Sequence, residues 1–227
     1  MFYFDPLYYV LILPSLALAL YAQSKVKGTY ARYLRVQARS GYTGAKVARE
    51  LLRRNGVDGV EVEASRGELS DHYDPRSRKI RLSHAVYEGT SLSALGIAAH
   101  ETGHALQHHE EYVPLHMRSL IVPVAGFGSN LAFPLFFIGI IASVEFLQTL
   151  GILLFTAAVV FTVITLPVEY NASGRALTLL ADGGFLGREE VDGVRRVLGA
   201  AALTYLAATA MALSQLLYLL VMRSRRD

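Results

Sequence analysis

The sequence predicts a mainly α-helical integral membrane protein, with about four transmembrane helices and one small α+β domain, and three observations predict it. Of its 227 residues, 52% are hydrophobic and the mean hydropathy is +0.33, both high for a water-soluble chain. The excess gathers in four nearly uncharged stretches, residues 2–22, 120–143, 146–168 and 198–222. Each reaches the roughly 20 residues that a helix needs to cross about 30 Å of hydrocarbon. What remains is two polar segments, residues 23–119 and 169–197, which must hold any chemistry.

The order along the chain is therefore a transmembrane anchor over 1–22, a soluble region over 23–119 and a transmembrane hairpin over 120–168. A short polar helix region over 169–197 and a last transmembrane helix with a basic tail over 198–227 complete it. The first stretch is expected to be a retained anchor rather than a cleaved signal, because no basic residue precedes it and residues 22–25 make no convincing cleavage site. Lys25, Lys27, Arg32, Arg35 and Arg39 follow it closely, and Arg175, Arg188, Arg195 and Arg196 lie in the second polar segment. By the positive-inside tendency both polar segments are cytoplasmic and the chain starts outside. Four crossings then leave Arg223, Arg225 and Arg226 outside, against the same tendency. A re-entrant or broken helix, bent at Pro14, Pro123 or Pro134, would remove the conflict.

Within the first polar segment, Thr43 caps a helix whose Val47, Leu51 and Leu52 share one face, and Asn55-Gly56 stops it. Residues 59–63 and 79–83 alternate with period two around the turn signals Gly67 and Asp74-Pro75, so a small antiparallel sheet is expected. Its strand at Ile80 and Leu82 is a candidate edge on which an extended peptide could add. From Ser91 the spacing of Leu92, Leu95, Ile97 and Ala98 turns helical and continues past His109.

Cysteine is absent, so disulfides and thiolate metal sites are excluded, and any metal must be held by His, Asp or Glu. The net charge of +3 is carried mostly by residues flanking the apolar stretches, which argues against nucleic acid as a partner. Inside the helix that starts near Ser91 stands His100-Glu101-Thr102-Gly103-His104, a HExxH sequence. On a helix its two histidines lie one turn apart on one face, as ligation of a single Zn2+ requires. Glu101 projects beside the metal, where it can take a proton from water.

A hydrolytic site needs a third protein ligand. His108, His109 and His116 compete for the place, but Glu169 is the stronger candidate. It follows Leu166-Pro167-Val168 at the end of an apolar stretch, where a charge is costly unless paired or metal-bound. Two crossings return it to the side of His104. The competing reading of Glu169 is a carboxylate at a helix start, which Pro167 would favour.

The sequence resembles the YugP-like family of neutral zinc metallopeptidases of bacterial membranes. The resemblance runs along almost the whole chain, through Thr43-Gly44, residues 69–75, Arg81-Leu82-Ser83, residues 99–105, Leu166-Pro167-Val168-Glu169 and, in outline, residues 201–205. It implies a zincin-like, gluzincin-like metalloprotease domain with Glu169 as third zinc ligand. In similar membrane peptidases an Asp four residues after that Glu supports a metal histidine; here the position is Ser173. For the oxyanion of the transition state the sequence offers His72, Tyr73 and Arg175 without choosing between them. Asp71 and Asp74 suggest a turn rather than a second metal.

The function expected is a membrane-embedded zinc endopeptidase acting on membrane or membrane-proximal proteins, with a peptide or protein substrate and the lipid bilayer as partners. The expected location is the bacterial inner membrane, with the active site on the cytoplasmic side. The alternative is a zinc-binding, non-hydrolytic adaptor or scaffold. A channel is disfavoured, because the apolar stretches carry few polar residues to line a path.

Overall fold

The computed structural model describes residues 5–67 and 70–225, so Phe2, Leu69 and Arg226 lie outside the described residues. In chain order the elements are α1 (Pro6–Leu34), α2 (Gly44–Arg54), β1 (Glu61–Ser65), β2 (His72–Asp74), β3 (Lys79–Ser83) and α3 (His84–Tyr87). Then follow α4 (Leu92–His109), α5 (Val113–Ile141), α6 (Glu145–Asp182) and α7 (Arg188–Ser224). The chain forms two compact units, one from the residues up to Gln23, His116–Pro167 and from Leu203 onward, the other from Ser24–Leu115 and Val168–Ala202.

Among the described residues, four helices are long and apolar enough to cross a membrane, α1, α5, α6 and α7, as the hydropathy predicts. In the first unit Ala132 and Phe136 of α5 pack against Ile152, Phe155 and Val159 of α6 and Leu219 of α7. Gly151 lets α5 and α6 touch, since a Cβ there would lie 2.6 Å from the Ala132 carbonyl oxygen. Outward-facing Phe127, Ile141, Phe146 and Leu153 are exposed, which suits a lipid environment. The hydroxyls of Thr156, Thr165 and Thr209 return to the carbonyls of Ile152, Phe161 and Tyr205 on their own helices, so each is satisfied without water.

Pro14, Pro123 and Pro134 lie inside unbroken helices, so the broken helix invoked to reconcile the basic tail is not formed. Arg225 instead pairs with Asp5 at 3.3 Å, so the start of α1 lies beside the end of α7.

The second unit is built around α4. Thr43 caps α2 by accepting from the Lys46 amide, and Asn55 followed by Gly56 at φ 66 ends it, as predicted. Val47, Ala48, Leu51 and Leu52 bury one face of α2 in a core shared with Ile80, Leu82, Leu95, Ala98, Ala99, Leu180 and Val194. Ser91 caps α4 through the Ala94 amide. The helix ends at His109 rather than continuing, because Glu111 turns to φ 54 and the Tyr112 amide bonds back to the Gln107 carbonyl, closing the end.

The sheet differs from expectation. Its order is β1-β3-β2, with β1 parallel to β3 and β2 antiparallel. The hairpin is made by β2, where Asp74 accepts from the Arg76 amide and the Ser77 hydroxyl and Arg78 adopts φ 51, leading straight into β3. β1 then takes the other side of β3. Three residues are too few to show alternation, which hid β2 in the sequence. β3 is therefore the central strand, paired on both sides, and cannot be the edge that accepts a peptide. Its Ile80 and Leu82 face the core, while Lys79 and Arg81 pair outward with Glu61, Glu63 and Asp74.

Candidate metal centre

The predicted ligands converge within the second unit. His100 and His104 occupy successive turns of α4, and Glu169 reaches them from α6. Among the described residues, these three form the one group able to hold a metal ion. The Glu169 Oε2 lies 3.3 Å from His100 Nε2 and 3.6 Å from His104 Nε2, and the two Nε2 atoms are 3.1 Å apart. A tetrahedral zinc with bonds of about 2.0–2.1 Å requires ligand atoms about 3.3 Å from one another. The three separations bracket that value, so the three donors have the spacing of one face of such a tetrahedron.

What brings α6 close enough is Gly103. A Cβ at that position would lie 2.7 Å from the carbonyl oxygen and 3.2 Å from the Cα of Ala172, so the two backbones touch between the ligands of α4 and Glu169. Glu169 is only 3% exposed. A buried carboxylate is stable there only against positive charge. α6 runs from Glu145 through Pro167 to Asp182, so Glu169 stands inside a helix and the helix-start reading falls.

The other ring nitrogens are held. His100 Nδ1 is 3.2 Å from the Ser173 hydroxyl, and His104 Nδ1 is 3.0 Å from Gln107 Oε1. Ser173 thus meets the histidine at the position where the resemblance implies a supporting Asp, with a hydroxyl in place of a carboxylate. Burial opposes charge on His104, but the Glu169 and Glu101 carboxylates and Gln107 outweigh it and raise its pKa above the ordinary histidine value.

Glu101 is buried on α4 next to the first ligand. Asp71 lies near it, accepting from the Ser83 amide at 2.7 Å and from the Ser83 hydroxyl. Burial pushes the Asp71 carboxyl up against those two bonds, and the Glu101 charge adds to the rise.

Among the described residues no other histidine joins the ligand triangle. The Tyr73 hydroxyl is 2.7 Å from His108 Nδ1, which occupies the ring that competed for the third-ligand place. Burial raises the Tyr73 pKa. His109 ends α4, and His116 belongs to α5 in the other unit. His72 on β2 is exposed, its Nδ1 on the Ser70 carbonyl. Arg175 is held at all three nitrogens: its Nε donates to Asn171 Oδ1 at 2.8 Å and its terminal nitrogens pair with Glu110, whose carboxyl it holds below the usual range. Gln107 and Asn171 were not singled out in the sequence, where a polar residue inside a helix carries no mark of burial.

Fold and site together define a mostly helical protein with four described helices long and apolar enough to cross a membrane and a His/His/Glu group that could hold a metal ion. The family model described as "Putative neutral zinc metallopeptidase" matches residues 8–224, and the chain belongs to that family. A relative from Bacillus subtilis (strain 168), described as "Putative membrane protease YugP", is 48% identical over 224 residues, covering 97% of this chain and 99% of its own length. No solved structure matches the chain.

Proposed function

We propose that this chain is a zinc-dependent endopeptidase embedded in the membrane, which hydrolyses peptide bonds of membrane or membrane-proximal proteins. The observation that carries the reading is the triangle of His100 Nε2, His104 Nε2 and Glu169 Oε2 at tetrahedral spacing, with Glu101 beside it. His100, His104 and Glu169 would hold the zinc in a zincin-like, gluzincin-like site. Zinc, when bound, supplies Lewis acidity that acidifies water and polarises the scissile carbonyl.

Glu101 is the general base. It takes a proton from the attacking water, whose oxygen bonds to the carbonyl carbon, and delivers that proton to the amine as the C–N bond breaks. No covalent intermediate with the protein is needed. A purely structural zinc site has no use for Glu101, which supports hydrolysis over a scaffold role. The basic residues after the first span support a cytoplasmic active site at the bacterial inner membrane.

The test uses full-length protein purified in detergent, with zinc content measured and cleavage of an unstructured protein followed. Glu101→Gln keeps its zinc and loses about 10²–10⁴-fold in rate. Equal cleavage by both removes the enzyme assignment. Zinc-loaded wild type that cleaves nothing supports the non-hydrolytic scaffold instead.

A further inference from the structure

A chain of hydrogen bonds runs from the surface of the second unit to the second metal histidine, and its chemistry permits one polarity only. Arg175 Nε can only donate, so the atom of Asn171 that meets it at 2.8 Å is the amide oxygen. The Val168 carbonyl can only accept, so the atom of Gln107 that meets it at 2.8 Å is the amide nitrogen, which also donates to Asn171 Oδ1 at 2.9 Å. Gln107 therefore presents its oxygen to His104, 3.0 Å from Nδ1. An amide oxygen cannot donate, so His104 Nδ1 carries the proton, and in the neutral ring that a metal requires Nε2 is the lone pair facing the ligand triangle.

The pieces are rigid. Gln107 is fully buried one turn after His104. Arg175 is clamped by Glu110 through contacts of 2.8 and 2.7 Å. Asn171 accepts from both Gln107 and Arg175, and stands on α6 two residues after Glu169, so the same helix that brings the third ligand also orients the second.

We infer that Gln107 and Asn171 are positioning residues for the metal centre: the relay Glu110, Arg175, Asn171, Gln107 fixes the tautomer and ring orientation of His104. Arg175 serves this relay rather than a substrate oxyanion. The inference rests on the proposed zinc site, and its parts make opposite demands on substitutions. Asn171 is used through its oxygen, so Asn171→Asp preserves both acceptor contacts and Asn171→Leu removes them. Gln107 is used through both ends, so Gln107→Met removes all three bonds at similar size, and Gln107→Glu turns a donor into an acceptor facing two other acceptors.

The test is zinc affinity of the full chain in detergent, by competition with a chromophoric chelator, together with the visible absorption spectrum of the cobalt-substituted protein and its unfolding temperature. His100→Ala and Glu169→Ala serve as controls for the site itself. Gln107→Met, Gln107→Glu and Asn171→Leu bind zinc about 10–100-fold more weakly and shift the cobalt spectrum, while Asn171→Asp restores both to near wild type. A merely structural role would lower the unfolding temperature and leave the spectrum of the folded protein unchanged. If the two controls keep their zinc, the metal-site reading fails. If the controls lose zinc while Gln107→Met and Asn171→Leu keep wild-type affinity and spectrum, the relay alone is overturned. Equal loss in Asn171→Leu and Asn171→Asp overturns the acceptor role of Asn171. Should Gln107→Met not fold, the Asn171 pair decides.

Discussion

Replacing Gly103 by alanine is expected to damage the metal centre without touching a ligand. The added methyl carbon would lie 2.7 Å from the Ala172 carbonyl oxygen and 3.2 Å from its Cα. Ordinary contact for such a pair begins at about 3.4 Å, so α4 and α6 must part by roughly 0.7 Å along that line. Both obstacles are backbone atoms and cannot swing aside. Ala172 lies three residues after Glu169, so the displacement reaches the carboxylate, whereas zinc–ligand distances hold to within about 0.2 Å. Glu169 then either leaves the metal or strains to keep it. Zinc affinity should fall about 10–100-fold, and overpacking should cost about 1–3 kcal/mol of stability. Chelator competition reads the first and thermal unfolding in detergent the second. Gly174→Ala is the control, because nothing lies within 4 Å of a Cβ there. It should be neutral or stabilising by up to about 1 kcal/mol. Gly103→Ala that binds zinc as tightly as wild type would refute the close-approach reasoning.

Three further outcomes follow from the same geometry. Glu169→Ala should lower bound zinc as far as His100→Ala does, and His108→Ala should not, since the His108 ring is held by Tyr73; metal analysis of the three purified variants separates the ligands. Single cysteines introduced near Asp5 and near Arg225 should both react with a membrane-impermeant thiol reagent from the same face, because the two residues are 3.3 Å apart; labelling from opposite faces would contradict four simple crossings. Leu51→Ala removes a side chain only 1% exposed and should cost about 2–5 kcal/mol, measured by thermal or denaturant unfolding, with little change in zinc affinity.

Much of this was legible because the signals were local. The four apolar stretches announce the spanning helices, Thr43 and Asn55-Gly56 mark the ends of α2, and the i, i+4 spacing of His100 and His104 needs only a helix to become a pair of ligands. That Glu169 would meet the two histidines was legible because a carboxylate beside an apolar span must be compensated. What escaped depends on distant partners. The strand at residues 72–74 is too short for a period, and the parallel pairing of β1 with β3 is settled by which strand makes the hairpin. Gln107 is one polar residue among several in its helix, and its role exists only through Val168 and Asn171, more than sixty positions away. Arg175 read in the sequence as one of three candidates for the oxyanion; in the structure Glu110 and Asn171 hold it. Gly103 looked like the variable position of the HExxH sequence and is the contact that allows α6 to approach.

The central claim is that one zinc ion is held by His100, His104 and Glu169. A crystal of the zinc-loaded protein, with diffraction data collected at the zinc absorption edge, tests it directly. The account predicts a single strong anomalous peak about 2.0–2.2 Å from His100 Nε2, His104 Nε2 and a Glu169 carboxylate oxygen. A peak that excludes Glu169, or one ligated by His108 instead, would contradict it.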